Sequence, residues 1–349
     1  MKDVLADIDA WLAEGREIAL ATVVGVRRSA PRPPGAKMAV NDAGAVSGAV
    51  SGGCVEGAVV TVAEDVLAGG KPRVLHFGIA DEEAWDVGLP CGGEIDVLVE
   101  RGPHEEFARI AREDGRAALV TRVEQPERKL LVRADGTTSG TLGSPELDAR
   151  GRAHAEELMW SERSELRDEE LFVDVTAPAP RLVIFGAVDF AGALCRLARA
   201  AGWRPFVVDP RARFATRERF PEAEDVVVAW PEEAFAQIGG IDRATWICVL
   251  THDPKLDDAA LSIALRSDAP YVGAMGSRRA QARRRERLLE AGLTDDELAR
   301  LSAPIGLDLG ALTAEETALS IMAEVVAVRN GRGGGRLREA AGRIHEVGA

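Results

Sequence analysis

Hydrophobic positions recur along this chain in two rhythms, and the change from one to the other divides it. Early on, Val4, Leu5, Ile8, Trp11 and Leu12 share one helical face, which predicts an amphipathic helix over residues 2–14 ending near Gly15. Ile18 to Val26 is rich in β-branched residues and reads as a strand. Lys37–Val40 and Ala45–Gly48 read as a hairpin across Asn41-Asp42-Ala43-Gly44. Val55, Val59, Val62 and Val66 return to helical spacing and predict a helix to Leu67. Strands are expected at Arg73–Phe77 and Glu94–Glu100, with His76 read as a core residue of the first. A helix over 103–114, strands over 117–123 and 128–133, a mostly helical, charge-rich stretch from Arg150 to Glu170 and a strand at Leu171–Val175 complete this part.

Ala177-Pro178-Ala179-Pro180 is the clearest linker, and beyond it the rhythm becomes strand, helix, strand. Continuous apolar runs at Arg181–Phe185, Phe206–Asp209, Val226–Ala229, Trp246–Leu250 and Tyr271–Ala274 alternate with helical patterns. That alternation predicts a parallel sheet covered on both faces. The expected fold is therefore α/β: an N-terminal mixed α+β domain over 1–176, then a Rossmann-like doubly wound parallel-sheet domain over 181–330. Residues 331–349 open on Gly331-Arg332-Gly333-Gly334-Gly335 and read as a flexible tail.

Composition narrows the function. At 349 residues and 46% hydrophobic content the chain can fill two cores, and a net charge of −14 argues against a nucleic-acid partner. Four cysteines without a CxxC pair make neither a disulfide framework nor a zinc motif. The N-terminus carries acids and lacks the apolar core of a signal peptide, and no run reaches the length of a membrane span. A cytoplasmic location is expected.

Candidate chemistry lies in a few loops. Ser51-Gly52-Gly53-Cys54-Val55-Glu56 opens the 55–67 helix, where free amides and the helix dipole favour an anion and a thiolate would be a soft metal donor. Gly88-Leu89-Pro90-Cys91-Gly92-Gly93 is a similar setting, and the two loops read as walls of one site. The bland alternative is two turns holding small buried hydrophobes. Arg28 to Lys37 carries three prolines with Arg32 and Lys37; it reads either as a stiff clamp for an anionic group or as a solvated turn. In the second domain Gly186 opens the first crossover, and Asp209 follows at the spacing of a ribose-binding acid. Val188 replaces the second fingerprint glycine and Asp189 adds a negative charge, which together weigh against a diphosphate and hence NAD(P). His252 reads as a base, a ligand or a loop hydrogen-bonder. Cys195 and Cys248 read as core.

Taken in order, Ser29-Ala30-Pro31-Arg32-Pro33-Pro34-Gly35-Ala36-Lys37-Met38, Ser51 to Gly57, Gly88 to Gly93, Thr251-His252-Asp253, Tyr271-Val272-Gly273 with Gly276-Ser277-Arg278-Arg279, and Pro304-Ile305-Gly306-Leu307-Asp308-Leu309-Gly310 resemble the XdhC/CoxI family. These are accessory factors of xanthine dehydrogenase and carbon monoxide dehydrogenase. The resemblance covers nearly the whole chain. It implies a protein that binds the molybdenum cofactor (molybdopterin), supports its sulfuration and delivers it to a molybdenum hydroxylase, a cofactor-insertion chaperone more than a turnover enzyme. Expected partners are a cysteine desulfurase-type sulfurtransferase, the molybdenum hydroxylase that receives the cofactor, and a second copy in a homodimer. The cofactor-binding positions so expected are Arg32, Lys37, Gly52, Gly53, Cys54, Glu56, Cys91, Gly92, Gly186, Asp209, His252, Asp253, Ser277, Arg278 and Asp308, with Cys54 and Cys91 toward the molybdenum. The family's Gly-Ala-Gly-His appears here as Gly186-Ala187-Val188-Asp189. Two competing readings are an NAD(P)-binding oxidoreductase on the second domain and a non-catalytic interaction scaffold.

Overall fold

The computed structural model describes residues 1–28, 30–78 and 93–340. The chain divides into two compact units, Met1–Pro178 and Ala179–Ala349.

In the first unit α1 (Lys2–Ala13) buries Val4, Leu5 and Ile8 and leaves its acidic positions in water, as its periodicity predicts. It leads into β1 (Ile18–Arg27), β2 (Lys37–Asn41) and β3 (Val46–Gly48). Then come α2 (Glu56–Leu67), β4 (Arg73–Phe77) and β5 (Glu94–Arg101). These strands form an antiparallel sheet in the order β3-β2-β1-β5-β4. Val59, Ala63 and Val66 of α2 pack on one face, against Ala19, Ala21, Val23, Val97 and Val99. The chain continues with α3 (Glu105–Arg112), β6 (Ala117–Arg122), β7 (Lys129–Arg133), β8 (Thr138–Thr141), α4 (Pro145–Ser161), β9 (Glu165–Arg167) and β10 (Leu171–Thr176). A second antiparallel sheet results, in the order β8-β7-β6-β10-β9, with Ala155, Leu158 and Met159 of α4 in its core. Val24 and Leu98 of the first sheet meet Phe172 of the second in a shared cluster. Two strands correct the sequence reading. Thr138–Thr141 is too short to show a period, and Glu165–Arg167 lies inside the stretch read as helical.

Among its described residues the second unit has six parallel strands: β11 (Arg181–Phe185), β12 (Arg204–Val208), β13 (Asp225–Val227), β14 (Thr245–Val249), β15 (Tyr271–Ala274) and β16 (Leu301–Ser302). Their order is β13-β12-β11-β14-β15-β16, and every pairing is parallel. This is the Rossmann order, with the reversal between β11 and β14 as its switch point. The helices between them are α5 (Asp189–Ala200), α6 (Pro231–Gln237), α7 (Pro254–Ala264), α8 (Arg278–Glu290) and α9 (Asp295–Ala299), and α10 (Ala314–Arg329) follows the last strand. They cover both faces, giving one core around Leu182, Ile184, Trp203 and Trp246 and another around Val183, Phe185, Ile247 and Val249. Successive residues of β11 enter opposite cores, so its run had to be continuously apolar. Among the described residues no helix is long and apolar enough to cross a membrane.

Candidate functional site

In the first sheet β3 and β4 both run parallel to β1, because each is antiparallel to a strand that is antiparallel to β1. The exits of β1, β3 and β4 therefore share one end of the sheet. The proline–arginine loop (28–36) and the Cys54 loop (49–55) leave from that end and touch. The Arg32 Nε–H donates to the Ala49 carbonyl at 3.4 Å, and a side chain at Gly52 would come within 3.9 Å of Pro31. Cys91 and Gly92 lie outside the described residues.

The amides that the sequence reading leaves open for an anion are already taken. Glu56, the first residue of α2, folds its carboxylate back over the loop. It accepts from the Ser51 amide (2.8 Å), the Gly52 amide (3.1 Å), the Gly53 amide (2.9 Å), the Val55 amide (3.2 Å) and the Ser51 hydroxyl (2.6 Å). Partial burial works against the charge, but the Ser51 hydroxyl and the backbone amides outweigh it and hold the carboxyl down at about 2. Glu56 is thus the loop's internal anion rather than a free ligand group. The effect is to fix the backbone of a Gly-Gly loop while leaving Cys54 exposed at its tip.

Lys37 is a second correction. It is fully buried, its ammonium 2.6 Å from Asp174 Oδ2 and 3.4 Å from the Thr22 hydroxyl, so it cannot reach an outside anion. Among the cations expected in the clamp, Arg28 is left exposed and Arg32 half-buried at the loop surface.

His76, read from the sequence as core, is instead 54% exposed. Its Nδ1 lies 2.6 Å from Asp96 Oδ1 across the β4–β5 pair, near the loop end of the sheet. Asp96 fits because β1 bulges between Val23 and Gly25, and a side chain at Gly25 would sit 2.7 Å from Asp96 Oδ2. Arg27 lies 3.8 Å from the same oxygen. A carboxylate on one ring nitrogen fixes the imidazole and leaves the other nitrogen for a guest. The signal available in the sequence was Gly25 within a strand rich in β-branched residues, a mark of a bulge.

In the second unit Gly186, Asp209, His252, Asp253, Ser277 and Arg278 all follow the carboxyl ends of neighbouring strands. Gly186 has φ 112°, and a side chain there would meet Thr251 Cγ2 at 2.7 Å, so only glycine lets β11 pass β14 this closely. Asp209 corrects the sequence reading. It is fully buried, accepts the Ala187 amide (2.8 Å) and the Arg211 amide (2.9 Å), and is clasped by the Arg211 guanidinium at 2.7 and 2.9 Å. Burial opposes its charge, but those bonds hold its carboxyl below the usual range. No oxygen is turned out for a ribose. Asp253 caps α7 through the Lys255 amide, Ser277 caps α8 through the Ala280 amide, and His252, Arg278 and Asp308 are exposed. Cys195 and Cys248 are buried, and burial pushes the Cys195 thiol up to about 12. Among the described residues no group of three or more His, Cys, Asp or Glu side chains is placed to hold a metal ion.

Two antiparallel sheets followed by a Rossmann sheet are an arrangement that known proteins share. Residues 11–78 match the XdhC and CoxI family, and residues 182–325 match the XdhC Rossmann domain. The chain belongs to the XdhC/CoxI family. Similar proteins include a probable xanthine dehydrogenase subunit of Bacillus subtilis (strain 168), 28% identical over 332 residues, covering 92% of this chain and 96% of the relative. The molybdenum cofactor insertion chaperone PaoD of Escherichia coli (strain K12) is 29% identical over 322 residues, 91% of this chain and 85% of PaoD. A crystal structure described as a xanthine dehydrogenase from Bacillus halodurans superposes with a TM-score of 0.66 at 23% identity, over 97% of this chain and 98% of the other, a likeness of fold.

Proposed function

We propose that this protein carries the molybdenum cofactor, supports its sulfuration and delivers it to a molybdenum hydroxylase of the xanthine or carbon monoxide dehydrogenase type. The observation that carries this reading is Cys54, an exposed thiol on a loop whose backbone Glu56 fixes, beside the half-buried Arg32. The relationship to PaoD supports it.

The bound cofactor would supply a molybdenum centre with sulfur and oxygen ligands, together with a pterin phosphate. Cys54 suits the metal side, because a thiolate is a soft donor. Arg32 suits the phosphate, because guanidinium binds phosphate in a planar, two-pronged way. Since Glu56 fills the amides, the phosphate is left to arginine. Among the described residues, a single exposed thiol that belongs to no group of three or more metal-binding side chains is a contact that can let go, as a carrier requires. The recipient hydroxylase, a cysteine desulfurase-type sulfurtransferase and a second copy of the chain are the proposed partners, in the cytoplasm.

Protein made in cells that synthesise the cofactor should co-purify a pterin, read by fluorescence after oxidation. Cys54→Ser and Arg32→Ala should each lower it at least tenfold. Absence of pterin in the unaltered protein sinks the reading. We read the Rossmann unit as a scaffold, with Asp209 committed to Arg211. Calorimetric titration with NAD+ and NADP+ should be silent, and a clear binding heat would restore the nucleotide reading.

A further inference from the structure

The two halves of the first unit repeat each other element for element. α1-β1-β2-β3-α2-β4-β5 is followed by α3-β6-β7-β8-α4-β9-β10, and the sheet orders correspond strand for strand. The registers coincide as well. Leu20 pairs Glu100 as Leu119 pairs Asp174, Thr22 pairs Lys37 as Thr121 pairs Lys129, and Met38 pairs Gly48 as Leu130 pairs Gly140.

The cores follow the same correspondence. Ala19, Ala21, Met38, Val40, Val97 and Val99 in one cluster answer to Ala118, Val120, Leu130, Val132, Leu171 and Val173 in the other. On the opposite faces Ile8, Ile18, Leu20 and Ala39 answer to Phe107, Ala117, Leu119 and Leu131.

Between the halves the polar contacts are reciprocal. Lys37 of the first binds Asp174 of the second at 2.6 Å, and Lys129 of the second binds Glu100 of the first at 2.9 Å. Each lysine also reaches the equivalent threonine, Thr22 at 3.4 Å or Thr121 at 3.1 Å. A contact of i with j matched by j with i is the mark of a two-fold interface.

We propose that the first unit is two copies of one seven-element module fused in tandem, locked across an internal two-fold by these crossed pairs, and that only the first copy retains ligand-handling loops. The β1–β2 connection has nine residues (28–36) against six in the second copy (123–128). The β3–α2 connection has seven (49–55) against three (142–144). In the second copy Ser144 caps the helix by accepting the Leu147 amide and Asp148 accepts the Leu142 amide, with no cysteine and no glycine pair. Leu142 stands where Val50 stands in the first copy, and both are fully buried. The second copy is thus the fixed partner of the first, and the chain binds one ligand in this unit rather than two. This last point rests on the cofactor-carrying reading, whereas the duplication does not.

The test replaces residues 50–55 of the full chain with the tripeptide Leu-Gly-Ser of 142–144. The graft should fold with one cooperative transition and lose at least tenfold in pterin per chain. Failure of the graft to fold contradicts a shared module, and a folded graft that loads normally contradicts confinement of the site. The lock is tested separately by urea unfolding. Lys37→Met and Lys129→Met should each lower the folding equilibrium constant by at least about tenfold. The apolar pairs Lys37→Met with Asp174→Leu and Lys129→Met with Glu100→Leu should recover most of that loss. Recovery at one pair only would overturn the reciprocal lock. Pterin missing from the unaltered protein, with both lysine results as expected, would remove the cofactor reading and leave the duplication standing.

Discussion

The two modules of the first unit share strand order, register and core, and differ at one end. In the second module that end is closed by short turns and surface ion pairs: Arg150 with Glu170, Arg122 with Glu170, and His154 with Asp168. In the first, the strands run further. They carry the His76–Asp96 pair, the Gly25 bulge, the arginine loop and the exposed Cys54. What a stable module needs is present in both copies. What only the first copy has must be explained by something other than folding, and the simplest explanation is a guest.

The comparison predicts where damage will fall. The largest effect is expected at the lock. Lys37 is fully buried and Lys129 keeps some access to water, so Lys37→Met should cost about 3–5 kcal/mol and Lys129→Met about 1.5–3 kcal/mol in urea unfolding. Equal costs would mean that burial does not separate the copies.

Gly25→Ala should come next, at about 1–3 kcal/mol, because a methyl there must displace Asp96, whereas Glu124→Ala, at an exposed position just past β6 in the second copy, should stay within about 0.5 kcal/mol. Thermal melts of the two variants make the comparison.

Glu56→Gln should cost about 1–2 kcal/mol at neutral pH, since its charge-assisted bonds are partly screened by solvent. Its carboxyl is depressed in the fold to about 2, below the ordinary 4.5. The stabilisation is therefore complete above about pH 4.5 and is lost as pH falls through about 2. The gap between unaltered and Glu56→Gln protein should shrink over that window, and a gap that widens in acid would contradict the hold of the Glu56 carboxylate on the loop amides.

His76→Gln should be the mildest for stability, within about 0.5–1 kcal/mol because the ring is half exposed, yet it should reduce pterin loading. His154→Gln should leave loading unchanged. Equal loading in the two histidine variants would remove His76 from the site.

Much of the fold is legible in the sequence, because it rests on local periodicity. The apolar run Arg181–Phe185 and the valines of α2 each determine an element from within a few residues. Lys37 reads as a clamp residue in sequence because its partner Asp174 lies 137 positions away, a distance no local pattern carries. Asp209 reads as a ribose ligand on spacing, although Arg211, two residues on, is there to claim it. The duplication is hidden in the sequence because it has no fixed period. Equivalent residues lie 99 apart at Leu20 and Leu119, 92 at Lys37 and Lys129, and 74 at Glu100 and Asp174, each step reflecting loops or strands trimmed in the second copy.

The central claim is that a guest sits on Cys54, and alkylation of the native protein tests it most directly. Iodoacetamide labelling followed by mass spectrometry should modify Cys54 readily in pterin-free protein and at least fivefold more slowly in pterin-loaded protein. Buried Cys195 and Cys248 should stay unlabelled in both. Equal labelling of Cys54 with and without pterin would contradict the account.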